Sequence, residues 1–188
     1  MVPLQPNGRP KTSTKFPIAC YLRHFKRNHQ LTTLVETGTF QGDTVEAMRL
    51  DFERIATIEV QPELFQKAQK RFDHYSHIET LFGDSADLIE GLVKELKEPA
   101  LFWLDAHHSA GVTGRGAEDS SLSKEFDVII RAINETGLKH VILMDDARDF
   151  WGVEGYPTLI GVFDQTIKQL PGYVFELKDG IAFVFPAN

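Results

Sequence analysis

Apolar, β-rich runs alternate with helix-periodic stretches along almost the whole chain, and this alternation limits the fold more than any other feature. The strand-like runs are TTLVET, RIATIEV, HIETLF, ALFWLD, HVILMD, YVFEL and IAFVF. Between them lie the helical patterns DTVEAMRLDF, PELFQKAQKRF, SADLIEGLVKEL, SLSKEFDVIIRAINET and PTLIGVFDQTIKQL, with a further helix near FPIACYLRHFKRNH. Strand and helix in strict alternation imply a parallel sheet joined by right-handed crossovers. The early strands are apolar nearly throughout, as they must be when helices cover both faces of the sheet.

Pro62 suits a first helical position, where its missing N–H costs nothing. Asp84 and Ser85 suit the cap of the helix they precede. The last two strands are separated only by KDG, a hairpin signal, so the sheet closes with an antiparallel pair. The expected fold class is α/β: a Rossmann-like, doubly wound, mostly parallel seven-stranded sheet with a C-terminal antiparallel hairpin. Residues 1–30 read as a basic arm and first helix, and residues 31–188 as the ligand-binding domain.

The chain of 188 residues is long enough to bury about 70% of the surface its unfolded form exposes. Its start has no apolar core of signal-peptide type. The single cysteine, Cys20, excludes an intramolecular disulfide and a cysteine-cluster metal site, and points to a reducing, cytoplasmic setting. Residues 1–35 hold six Lys or Arg and no acid, while the remainder carries 14 basic against 27 acidic residues. An acidic body repels phosphate backbones, which argues against nucleic acid as a partner. No apolar stretch approaches the ~20 residues of a membrane span, so no membrane partner is expected. Self-association is left open.

In doubly wound sheets ligands bind beyond the carboxyl ends of the strands, where the strand order reverses. Those ends read Glu36-Thr37-Gly38, Glu59-Val60, Gly83-Asp84-Ser85, Asp105-Ala106-His107 and Asp145-Asp146. The first turn, GTFQGDT, lacks both the spacing and the lysine of a nucleoside triphosphate loop. Dinucleotide loops follow GxGxxG, and Thr39 stands where the second glycine would be. A pyrophosphate would also be repelled by Glu36; a cationic ligand suits it better.

Glu36-x-Gly38-x-x-x-Gly42-x-Thr44 resembles motif I of the class I S-adenosylmethionine-dependent methyltransferases. The resemblance implies that Glu36, Thr37, Gly38, Thr39, Phe40, Gly42 and Thr44 wrap the methionyl part of the cofactor. It further implies that Glu59, with Val60 beside it, takes the ribose hydroxyls, and that Gly83, Asp84 and Ser85 meet the adenine. Asp105 borders the same cleft. The bland alternatives are a tight turn at the glycines, a surface acid at Glu59 and a helix cap at Asp84.

Asp105, Asp145 and Asp146 end two strands expected to be neighbours, and converging carboxylates repel unless a cation lies between them. Mg²⁺ with oxygen ligands would remove that cost. The pattern is similar to the divalent-metal-dependent O-methyltransferases of the catechol and macrolide-sugar type, over residues 31–185. That likeness implies a metal held by Asp105, Asp145 and Asp146, which lowers the pKa of a substrate hydroxyl. A base then removes the proton and the alkoxide attacks the methyl group in line. His107 and His108 are the candidate bases, because histidine titrates near neutrality.

The segment from 107 to 121 is glycine-rich and aperiodic, as a substrate lid would be. Phe150, Trp151 and Tyr156 could stack on an acceptor or pack beneath the sheet. The expected activity is O-methylation of a small hydroxylated molecule. The alternatives are a nicotinamide oxidoreductase on a similar sheet and a non-catalytic binding or scaffold protein that keeps the fold.

Overall fold

A computed structural model describes residues 15–105, 121–152 and 156–187. The helices are α1 (Lys15–His29), α2 (Asp43–Met48), α3 (Pro62–Phe72), α4 (Ser85–Glu95), α5 (Ser121–Thr136) and α6 (Leu159–Gln169). The strands are β1 (Thr33–Thr37), β2 (Arg54–Glu59), β3 (Ile78–Phe82), β4 (Ala100–Leu104), β5 (Val141–Met144), β6 (Tyr173–Lys178) and β7 (Ile181–Pro186). They form one seven-stranded sheet in the order β3-β2-β1-β4-β5-β7-β6. The first five strands are parallel, and β7 pairs antiparallel with both β5 and β6. The α/β expectation and its terminal hairpin are both observed.

The sheet is covered on both faces, as the nearly continuous apolar strands require. Leu22 and Phe25 of α1, Val45 and Met48 of α2, and Ala68 and Phe72 of α3 pack on one face against Leu34, Ile55, Leu101 and Trp103. Ile89 and Val93 of α4, the Phe126–Ile129–Ile133 stripe of α5, and Val162 of α6 cover the other face against Val35, Ile58, Phe102 and Ile142. Helix α2 stops at Met48, short of the expected Phe52, and the chain continues through turns. In the closing hairpin Asp179 and Gly180 take φ 54 and φ 84. Two consecutive left-handed residues match the twist of the flanking strands.

The strand order reverses between β1 and β4, because the chain winds outward through β2 and β3 before returning to β4. Asp105 N–H donates to the Thr37 carbonyl at 3.1 Å, and Asp145 N–H to the Leu104 carbonyl at 3.0 Å. The carboxyl ends of β1, β4 and β5 are thereby laced side by side.

His140, just before β5, is fully buried; its Nδ1 accepts from Ala100 N–H at 3.0 Å. Burial lowers its pKa from 6.5 to about 4. Between those values the unfolded chain binds a proton that the folded chain refuses, so this stability is present above pH 6.5 and lost as the pH falls toward 4. His140→Gln keeps an acceptor for Ala100 and has no charge to gain. Its melting temperature is expected to fall less than the parent's on acidification through this window, as read by circular dichroism.

Candidate functional site

The turn after β1 runs through three residues with left-handed backbone. Gly38, Phe40 and Gly42 have φ values of 82°, 50° and 74°. Gly38 and Thr39 N–H both donate to the Ile58 carbonyl, at 3.0 and 3.1 Å, tying the turn to β2. A Cβ on Gly42 would stand 2.7 Å from the Phe72 ring. Glycine is required there both for the left-handed backbone and for the approach of α3.

Glu36 lies on β1 between Thr57 of β2 and Trp103 of β4 in register, and is 1% exposed. Thr57 Oγ1 donates to its Oε2 at 2.6 Å. Thr39 Oγ1 is 2.6 Å from Thr57 Oγ1. Because the Thr57 proton is committed to Glu36, Thr39 is the donor of that pair. The Glu36 pKa is raised to about 8, chiefly by burial and with help from Asp105 and Glu59, while the Thr57 and Thr44 hydroxyls oppose the rise. Glu36, Glu59 and Asp105 therefore share one electrostatic neighbourhood.

Glu59 is also buried, and both its oxygens are engaged. Oε2 accepts from Phe40 N–H and Oε1 from Gln61 N–H, each at 2.8 Å. A carboxylate offers about four acceptor positions, so two remain for further donors. Phe40, Val60 and Phe82 are each more than half exposed beside it, at 58%, 57% and 52%. Phe82 leans on Phe65, with ring centroids 5.3 Å apart. Together these side chains form an exposed apolar border beside Glu59.

Gly83 N–H donates to the Glu59 carbonyl at 3.1 Å, holding the third strand end against the second. Asp84 is the N-cap of α4, accepting from Ala86 N–H at 2.9 Å. Ser85 donates its hydroxyl to Glu125 of α5, and Thr37 Oγ1 donates to the other Glu125 oxygen at 3.1 Å. The Thr37 and Ser85 hydroxyls thus point at a protein carboxylate. Glu125 and Thr57 belong to none of the sequence motifs. One signal for Glu125 was present: it occupies an apolar position in the Leu122–Phe126–Ile129–Ile133 stripe of α5.

Asp105, Asp145 and Asp146 reach neighbouring strand ends as expected. The Asp145 Oδ1 accepts from Asp146 N–H at 2.8 Å, and Asp146 has φ 51 at the cap of a 3₁₀ turn over Ala147–Asp149. Among the described residues no three His, Cys, Asp or Glu side chains are arranged to hold a metal ion. His107, His108 and the proposed lid lie outside the described residues. Of the three aromatics after β5, Phe150 is buried, Tyr156 stacks on it at 6.1 Å, and Trp151 is 75% exposed.

No family model matches the sequence, and no curated protein matches it. Solved structures do. An O-methyltransferase from Bacillus cereus in complex with SAH superposes with a TM-score of 0.64 at 15% identity, covering 94% of this chain and 84% of its own. The O-methyltransferase TomG from Streptomyces achromogenes, in complex with SAM, gives 0.63 at 16%, covering 92% and 80%. The N-methyltransferase NodS from Bradyrhizobium japonicum gives 0.58 at 12%, covering 95% and 99%. The chain has the class I S-adenosylmethionine-dependent methyltransferase fold.

Burying Glu36 sets a pH dependence of stability. Between pH 4.5 and about 8 the folded chain keeps a proton that the unfolded chain has released, so stability falls as the pH rises through that window. Glu36→Gln is expected to flatten this fall and to be more stable than the parent above it, as measured by denaturant unfolding on either side of the window.

Proposed function

We propose that this protein is a methyltransferase that takes its methyl group from S-adenosylmethionine and delivers it to a hydroxyl of a small molecule. The observation that carries this reading is the pairing of Glu36 and Glu59 around one glycine turn at the strand-order reversal. A nearly dry carboxylate gains most from a cation, and the methionyl end of S-adenosylmethionine supplies an ammonium and a sulfonium. Glu59, fixed by two backbone N–H groups, keeps acceptor positions for a pair of ribose hydroxyls. Val60 and Phe82 offer apolar surface for the adenine.

When bound, the ligand supplies an electrophilic methyl group on a sulfonium leaving group. The chain's own contribution is to hold that group at the β1–β4 opening, beside Asp105. Much of the rate gain would come from fixing the two reactants relative to each other. The hydroxyl acceptor, and the proton-removing role of His107 or His108, are part of the proposal, supported by the sequence pattern and by the O-methyltransferase names among the similar structures. A divalent cation held by Asp105, Asp145 and Asp146 belongs to the same proposal, supported by the meeting of the β4 and β5 strand ends; when bound it would lower the pKa of the acceptor hydroxyl.

Calorimetry with S-adenosylmethionine and with S-adenosylhomocysteine tests the proposal. Both are expected to bind, and Glu36→Gln and Glu59→Ala are each expected to weaken binding by about tenfold or more, the scale of one hydrogen bond to a charged group. Absence of binding to the parent protein would sink the proposal; NADH binding in its place would favour the oxidoreductase alternative. Titrating Mg²⁺ into the S-adenosylhomocysteine complex is expected to give a saturable heat that Asp146→Asn weakens. No saturable heat in the parent would remove the aspartates as metal ligands.

A further inference from the structure

Glu125 is a carboxylate with no surface exposure, on a helix that otherwise buries apolar side chains. Its surroundings are three hydroxyls from three different elements: Thr37 at the end of β1, Ser85 in the first turn of α4 and Ser121 at the start of α5. Burial pushes its pKa up, the three hydroxyls oppose that, and Asp84 adds to it. A buried acid is costly, and an apolar residue would continue the α5 stripe without that cost. Folding alone gives no reason for it.

The placement of its partners gives one. Thr37 immediately precedes Gly38 and the turn that Glu36 and Glu59 flank. Ser85 immediately follows Gly83-Asp84, the loop expected to meet the adenine. Glu125 bridges the two from the opposite side of the sheet to Glu36, since Glu36 and Thr37 are adjacent on a strand and point to opposite faces.

We propose that Glu125 is a positioning residue for the S-adenosylmethionine site: its carboxylate clamps the β1 strand end to the β3–α4 loop, so that the two halves of the ligand meet contacts already set at the right separation. This rests on the methyl-donor reading above. The residue touches neither ligand nor reacting atoms; it acts through Thr37 and Ser85. A clamp of this kind matters most to a ligand that spans both loops. Adenosine needs only one of them.

The test measures S-adenosylhomocysteine and adenosine binding to the full chain by calorimetry, for the parent, Glu125→Ala and Glu125→Gln. Glu125→Ala is expected to weaken S-adenosylhomocysteine by roughly tenfold, the scale of a lost hydrogen bond to a charged group, and adenosine by much less. Glu125→Gln, whose oxygen accepts from one hydroxyl while its NH₂ group donates to the other, is expected to recover most of that loss. Equal losses for the two ligands would mean general loosening and overturn the clamp, as would no loss at all.

If Glu125→Ala does not fold, Thr37→Val, Ser85→Ala and their double variant take its place. Releasing either end opens the clamp, so the double variant is expected to bind S-adenosylhomocysteine no more weakly than the poorer single one. Fully additive losses would show independent contacts and overturn the proposal. A parent protein that binds neither ligand would refute the methyl-donor reading itself. A parent that binds both, with an unaffected Glu125→Ala, would refute only the clamp.

Discussion

Moving a carboxylate out of water costs several kcal/mol unless donors replace the lost hydration. This protein meets that cost at Glu36, Glu59 and Glu125, all near the carboxyl ends of the strands. Each is held by donors gathered at the strand ends: threonine hydroxyls at Glu36, backbone N–H groups of two turns at Glu59, and hydroxyls from β1, α4 and α5 at Glu125. The arrangement depends on β1 lying in the centre of the sheet, with β2 on one side and β4 on the other.

That central position gives β1 two roles. Through Glu36 it faces the α1–α3 layer and presents a nearly dry acid beside a turn open to a ligand. Through Thr37 it faces the α4–α6 layer and is gripped by α5. The turn that follows is therefore fixed from both faces, and Gly38 and Gly42 take left-handed backbone between those anchors.

Much of this was legible in the sequence, because strand and helix periods are local properties. The seven strands, the closing hairpin, the Pro62 helix start and the Asp84 cap all follow from patterns spanning a few residues. The glycine turn was legible for the same reason. Glu125 was not, because a charge inside an apolar stripe looks like an interruption until a second strand end is seen to need it. Thr57 was equally opaque: a threonine in an apolar strand reads as β-propensity, and only the register with Glu36 gives it a partner. Phe150 and Trp151 are neighbours of one type, yet one is core and the other exposed.

What the amino-acid order determined by itself is the alternation of strands and helices and the placing of acids at successive strand ends, since both depend on short-range pattern. What only the tertiary structure decided is which of those acids meet. Parallel pairing across β2-β1-β4 brings Glu36, Glu59 and Asp105 into one electrostatic neighbourhood, and α5 crosses behind it to join Thr37 with Ser85. These contacts join residues 20 to 90 positions apart in the chain, and no local periodicity can specify them.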